Sequence, residues 1–181
     1  MPDSQVDVSK ARVLLAKIKS NGKDLSRPMR EISMMLENSV KENFDVGGRY
    51  SEKGSPMGGP KKWPELKYPK KQGSILCRSG ILQRSLIGSS DGTSAKVTTN
   101  IVYAAIQNFG GKTRAHKIAG RNSAKKCLKF SLTGGGKMMF RKSVNHPGSD
   151  IDARPFMVAQ PDDIKEAKEI IAEHLTDGVQ K

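Results

Sequence analysis

The sequence predicts an α+β fold with two N-terminal helices, a small, mostly antiparallel sheet carrying a basic hairpin insert, and a C-terminal helix. Three observations predict it. Apolar residues recur at helical spacing at both ends of the chain. Between them, short runs alternate apolar and polar residues and are bounded by Gly, Asn, Asp and Ser. A Gly/Pro/Lys-rich stretch at 45–74 and a basic insert at 112–150 interrupt this pattern without a composition that could fold alone, so the 181 residues read as one domain.

Each element follows from local chemistry. Val8, Ala11, Leu14, Leu15 and Ile18 share one helical face that stops at Ser20-Asn21-Gly22. Leu25, Met29, Ile32, Leu36, Val40 and Phe44 make a second face at steps of three and four, with Pro28 in the first turn, where its missing N–H is harmless. The methionines at 29, 34 and 35 read as core filling, and Val46-Gly47-Gly48 ends the helix. In the loop that follows, Tyr50, Trp63 and Tyr68 are separated anchors, and Trp63 is expected to pin its own loop to the domain. Ile75 and Leu76 are expected to be extended, Ser79-Gly80 to turn, and Ile81 to Leu86 to form a short helix or strand. Ser89 to Gly92 should turn, and Ala95, Val97, Thr99 and Ile101 alternate as a strand that runs into a short helix ending at Phe109-Gly110-Gly111. Leu128, Phe130 and Leu132, a turn at Thr133 to Gly136, then Met138 and Phe140 spell a hairpin. Asp162 and Asp163 open a helix with Ile164, Ala167, Ile171 and Leu175 on one face. The expected core packs Leu36, Val40 and Phe44 with Ile171 and Leu175 against a sheet holding Val97 and Phe130.

The charge is segregated. Of a net +14, residues 48–146 hold 20 Lys or Arg against Glu52, Glu65 and Asp91, while the two flanks together are slightly acidic. Such a field favours polyanions or an acidic protein surface. Lys112, Arg114, Lys117, Arg121, Lys125, Lys126, Lys129, Lys137, Arg141 and Lys142 form the densest run, with no acidic residue among them. An acidic protein surface is favoured as its partner over DNA. Cys77 and Cys127 lack the spacing of a disulfide framework, the first residues lack an apolar signal region, and no window approaches the length of a membrane span; a soluble intracellular protein is expected.

Enzyme chemistry finds little support. Tyr103 has no base beside it in sequence, and Gln107 and Asn108 do not titrate. His116, His146 and His174 are far apart, neither cysteine has metal-ligand spacing, and carboxylates do not cluster in the basic middle. A ribonuclease-like set of His116, His146 and Lys117 is the one weak acid–base option. Gly134 to Lys137 is no phosphate loop, because the frame of a Walker motif is absent.

Four pieces stand in a telling order: Trp63-Pro-Glu-Leu66 after a Gly-rich loop, "ILCRSGILQRSL" from Ile75, "VYAAIQNFGG" from Val102 and "DARPFM" from Asp152. Together, over roughly residues 8–175, they resemble the phage virion morphogenesis family, the tail completion proteins of Mu-like and P2-like bacteriophages. Gln107-Asn108 stand where that family usually has His-Gln, Asp152 replaces a proline, and Met157-Val158 replace Leu-Gly. The resemblance implies a structural protein of the virion, assembled in the host bacterial cytoplasm, that forms a ring of about six subunits at the tail end or head–tail junction. It implies neighbouring head-connector and tail-tube proteins as partners, and no cofactor, metal or membrane. Tyr103, Phe109, Gly110, Gly111, Arg154, Pro155 and Phe156 are then the expected subunit or structural contacts, with Phe109 taken first as a core residue of its own subunit and Arg154 as a clamp on carbonyls or a carboxylate. A sequence-nonspecific DNA-binding module is the alternative that the charge alone suggests.

Overall fold

A computed structural model of the chain describes residues 9–51, 57–66, 75–120, 127–131 and 138–178. Helices α1 (Ser9–Asn21) and α2 (Ser26–Asp45) lead, and the chain then returns along α2 to the short α3 (Ile81–Arg84). A hairpin of β1 (Ile87–Ser90) and β2 (Ala95–Thr98) precedes α4 (Ala104–Phe109). Strands β3 (Gly111–Lys112), β4 (His116–Ala119), β5 (Leu128–Ser131), β6 (Met138–Arg141), β7 (Ser143–His146) and β8 (Asp150–Ile151) come next, and α5 (Pro161–Thr176) closes the order. The mixture is α+β, as the sequence predicts. Among the described residues the strands form two-stranded antiparallel pairs rather than one sheet.

Those pairs are nested. β3 faces β8, β4 faces β7 and β5 faces β6. Gly111 lies opposite Ile151, His116 opposite His146 and Ala119 opposite Ser143, a single register that Gly120 extends by donating to the Lys142 carbonyl at 3.3 Å. Among the described residues, β3, β4, β7 and β8 therefore make one two-stranded ribbon rooted at Gly111 and Ile151, and β5 and β6 form a separate pair on their own register, with β6 leading directly into β7.

The core gathers on α2. Val40, Phe44, Trp63, Leu82, Leu86, Ala104 and Phe156 form one buried cluster, in which Phe44 meets Trp63 edge-on at 5.5 Å between ring centroids and Phe156 at 5.2 Å. Trp63 comes from the Gly-rich loop, so that loop is pinned as expected. Its indole N–H donates to the Pro155 carbonyl at 2.7 Å. Gly48, at φ +102°, lies under the indole, where a Cβ would stand 2.6 Å from Cδ1.

Residues 152–158 run extended through this core with little strand pairing of their own, so side chains satisfy their backbone. Asn43, fully buried on α2, donates to the Phe156 carbonyl at 2.8 Å, and Asn108 of α4 accepts the N–H groups of Phe156 and Met157, each at 3.0 Å. Farther along, Asp163 accepts the Gln160 N–H at 2.6 Å in a reciprocal capping box and the Ser39 hydroxyl at 2.8 Å, which joins the start of α5 to α2. At the other end of α5, the Asn21 amide donates to the carbonyls of His174, Leu175 and Asp177 at 3.0–3.1 Å, so α1 caps α5.

Several expectations need correction. Ile75 and Leu76 turn rather than extend, with Leu76 at φ 63°. The first hairpin turns at Asp91 to Ser94, because the Asp91 carboxylate gathers the N–H and hydroxyl groups of Thr93 and Ser94 and is held well below the usual carboxylate range, chiefly by the Ser94 hydroxyl. β2 stops at Thr98, and residues 101–103 form a turn into α4 rather than a strand. Phe130 belongs to the β5–β6 pair and does not share a sheet with Val97, while Ile171 and Leu175 are half-buried between α5 and its helical neighbours. The turn at Thr133 to Gly136 lies outside the described residues.

Three outcomes test this packing. Phe44 and Phe156 are both 0% exposed, so Phe44→Ala or Phe156→Ala should each cost about 3–5 kcal/mol in urea denaturation. Asn108→Ala should cost about 1–3 kcal/mol for each N–H it orphans, visible as a lowered Tm. Glu37 is held below the usual glutamate range, first by the Lys41 ammonium and then by the Gly88 N–H, which it accepts at 2.6 Å to tie β1 to α2. A depressed carboxyl stabilises fully above its unfolded pKa, and that contribution is lost as pH falls through the folded pKa. Thermal melts between neutral and strongly acidic pH should therefore show a stability loss below the ordinary glutamate range that is shallower in Glu37→Gln.

Candidate functional site

Two kinds of surface emerge from the expected contact residues, one turned inward and one outward. Arg154 is 7% exposed and spreads its guanidinium over main-chain carbonyls, with Nε and Nη2 donating to Pro64 at 3.3 and 3.2 Å. Its own N–H donates to the Gln107 carbonyl at 2.9 Å. A planar, permanently charged fork suits several carbonyl oxygens at once, so Arg154 locks the Trp63 loop and α4 to the 152–158 segment. Pro155 presents its carbonyl to Trp63, and Phe156 is a core ring.

Gly110 belongs to the same arrangement. At φ +71° it ends α4, and a Cβ there would stand 2.8 Å from the Ala153 nitrogen. The double glycine thus lets α4 close directly onto the backbone next to Arg154, and Gly111 starts β3, at the root of the ribbon.

Phe109 corrects an expectation. It is 76% exposed and caps no core of its own subunit. Val102 and Tyr103, just before α4, are 98% and 45% exposed, so both ends of α4 present outward apolar side chains, with Phe109 next to the ribbon root at Gly111. The helix turns Ala104 and Asn108 inward, and Phe109, one residue on from Asn108, faces away.

The ribbon, with the β5–β6 pair that leads into it, carries the basic run. Lys112, Arg114, Lys117, Lys129, Arg141 and Lys142 are all exposed, and Lys112 pairs with Asp150 at 3.8 Å. Arg121, Lys125, Lys126 and Lys137 lie outside the described residues. Cross-strand partners share a face, so Ile118 stands beside Val144 and Lys129 beside Phe140. Ile118, Met138 and Phe140 are 37%, 46% and 61% exposed, which makes the ribbon both basic and apolar.

The ribbon also brings together two of the histidines. The rings of His116 and His146 stand 5.2 Å apart, with His116 Nδ1 against the Arg114 carbonyl at 3.0 Å and His146 Nδ1 accepting from Gly148 N–H at 3.1 Å. Lys117 points to the other face of the strand, so the three do not form an acid–base set. His174 is elsewhere, bonded by Nε2 to the Asp24 carbonyl at 2.8 Å. No three His, Cys, Asp or Glu residues among those described come together to hold a metal, and none of the described helices is long and apolar enough to cross a membrane.

Asn43 is a residue that the sequence did not single out, and Asn108 was noted there only as a group that does not titrate and as a departure from the family pattern. Each sits where an apolar stripe turns inward, which is the signal that could have found them.

Comparison with known proteins places this architecture. The model of the phage virion morphogenesis family matches residues 6–176, nearly the whole chain. Mu-like prophage FluMu G protein 2 of Haemophilus influenzae is 37% identical over 92 residues, which take in 50% of this chain and 57% of that protein. The matched stretch thus spans little more than half the length of that curated relative. No solved structure matches. With a family match of that extent, the chain belongs to the phage virion morphogenesis family.

Proposed function

We propose that this protein is a ring subunit that completes or terminates the phage tail, or joins tail to head, during virion assembly in the host bacterial cytoplasm. The observation that carries the reading is the exposed apolar ends of α4, Val102 and Tyr103 before it and Phe109 at its close, the last at the foot of a basic, half-apolar ribbon. A phenyl ring 76% exposed and a valine 98% exposed at the two ends of one short helix are apolar area that a subunit contact would bury. A closed ring, with six copies as the expected number, gives every such face a partner. Head-connector and tail-tube proteins are the expected neighbours above and below the ring, and the work is structural, with no substrate to convert. Membership of a virion morphogenesis family supports this reading, as does a relative named for a Mu-like prophage. Sequence-nonspecific DNA binding is the second reading, supported by the ribbon's charge alone.

Light scattering after size exclusion separates the two. The wild-type chain should run as a closed oligomer, alone or with its head or tail partners, and Phe109→Ser should shift it towards monomer. Because Phe109 is exposed, its loss should change folding stability by no more than about 0.5 kcal/mol. A strict monomer at high concentration, with partners present, would overturn the ring.

A further inference from the structure

We infer that the basic ribbon of one subunit docks on the acidic outer stripe of α5 in a second copy of this chain, so that the contact closing the ring is head-to-tail and electrostatically steered. The inference rests on the ring reading above and names the surfaces that make it.

The acidic stripe follows from spacing. Asp162, Glu166, Glu169, Glu173 and Asp177 succeed one another at steps of four, three, four and four, which places them on one side of α5 and its C-terminal extension, and all are exposed. Glu169 pairs with Lys165 at 4.0 Å and Asp177 with Arg27 at 4.0 Å, both solvent-exposed pairs. Asp162, Glu166 and Glu173 make no ion pair with any described residue. The buried side of the same helix, with Ala167, Ile171 and His174, is taken up by α1 and α2, so among the described residues the stripe lies on the exposed flank, with Glu173 and Asp177 bordering Arg27 of α2.

The ribbon is its complement. Lys117, Lys129, Arg141 and Lys142 are exposed, and their side chains meet no carboxylate among the described residues. Apart from contacts between its own strands, the ribbon packs only weakly on the rest of the chain. Among the described residues its cations make no ion pair with the carboxylates of their own α5. Ile118, Met138 and Phe140 lie among the cations and supply the apolar area that a contact needs beyond charge.

Dimensions agree. The fifteen helical residues from Asp162 to Thr176 extend about 22 Å. The consecutive strands β6 and β7, from Met138 to His146 with a bend at Lys142, extend at most roughly 30 Å. Two unlike, complementary surfaces on one molecule favour a heterologous contact; an isologous pairing of either surface would set like charge against like. Phe109 stands at the ribbon root, so the apolar face of α4 enters the same interface.

Charge exchange tests this. One variant reverses the ribbon, Lys117→Glu with Lys129→Glu, and the other reverses the helix, Glu166→Lys with Glu173→Lys. Sedimentation equilibrium at about 0.05 M salt, where screening is modest, should show each variant alone associating roughly tenfold or more weakly than wild type. Mixed one to one, the variants should regain wild-type association, because the acidic ribbon meets the basic helix while the unaltered ribbon and helix meet each other. That recovery also proves both variants folded. Variants that associate like wild type, or a mixture that stays dissociated, would overturn the inference while leaving the ring intact. Ribbon reversal that abolishes binding of a labelled random-sequence DNA duplex without changing oligomer mass would overturn it in favour of a nucleic-acid surface. A wild-type chain that remains monomeric would remove the ring and this contact together.

Discussion

The fold depends on how an extended segment with little strand pairing is kept inside a core. Residues 152–158 pass between α2, α4 and the Trp63 loop, and an unpaired backbone polar group in such a place is costly. Asn43 and Asn108 answer from opposite sides, one donating to the Phe156 carbonyl and the other accepting two successive N–H groups. Trp63 takes the Pro155 carbonyl, and Gln107 receives the Arg154 N–H. The apolar contacts of Phe156 with Phe44 can form only when these bonds do, so sequence-distant elements become one cooperative unit.

From that constraint the other parts follow in order. Arg154 can be buried because its fork finds carbonyls rather than water. Gly110 is required because α4 must end against the Ala153 backbone. Asp163 can be buried because it closes its own helix cap and accepts from Ser39. None of these groups needs to change protonation for its role. A neutral amide at position 108 keeps both lone pairs of its oxygen as pH varies, which suits a scaffold better than a titrating ring would.

Much of this was legible in the sequence, but unevenly. Long stripes such as Met29 to Phe44 gave α2 and its buried side, and the Asp162-Asp163 start gave α5, because helical period survives whatever tertiary partner arrives. Asn43 was missed because an amide within an apolar stripe looks like a solvated position until its partner is known. The ribbon was seen only as a hairpin of 128–140, since pairing of Gly111 with Ile151 joins residues far apart in sequence and separated by irregular backbone. Phe109 misled because composition marks an aromatic as core material, whereas the phase of α4, set by Asn108 facing inward, turns it out.

A lean core then makes sense as a division of labour. With apolar residues at 35% of the chain, the buried cluster is small, and large apolar side chains remain at Val102, Phe109 and Phe140 on the surface. Moving them inward would enlarge the core and remove the apolar surface that the proposed ring contact needs. Charge follows the same logic in reverse: concentrated on a two-stranded ribbon, the lysines and arginines repel one another at little cost to the distant core, because solvent and salt screen an exposed strand on both faces. The same concentration makes the ribbon a poor neighbour for another ribbon and a good one for a carboxylate-bearing helix. Stability is thus settled inside by amides and aromatics, which leaves the charged and apolar surfaces to the contacts of the proposed ring.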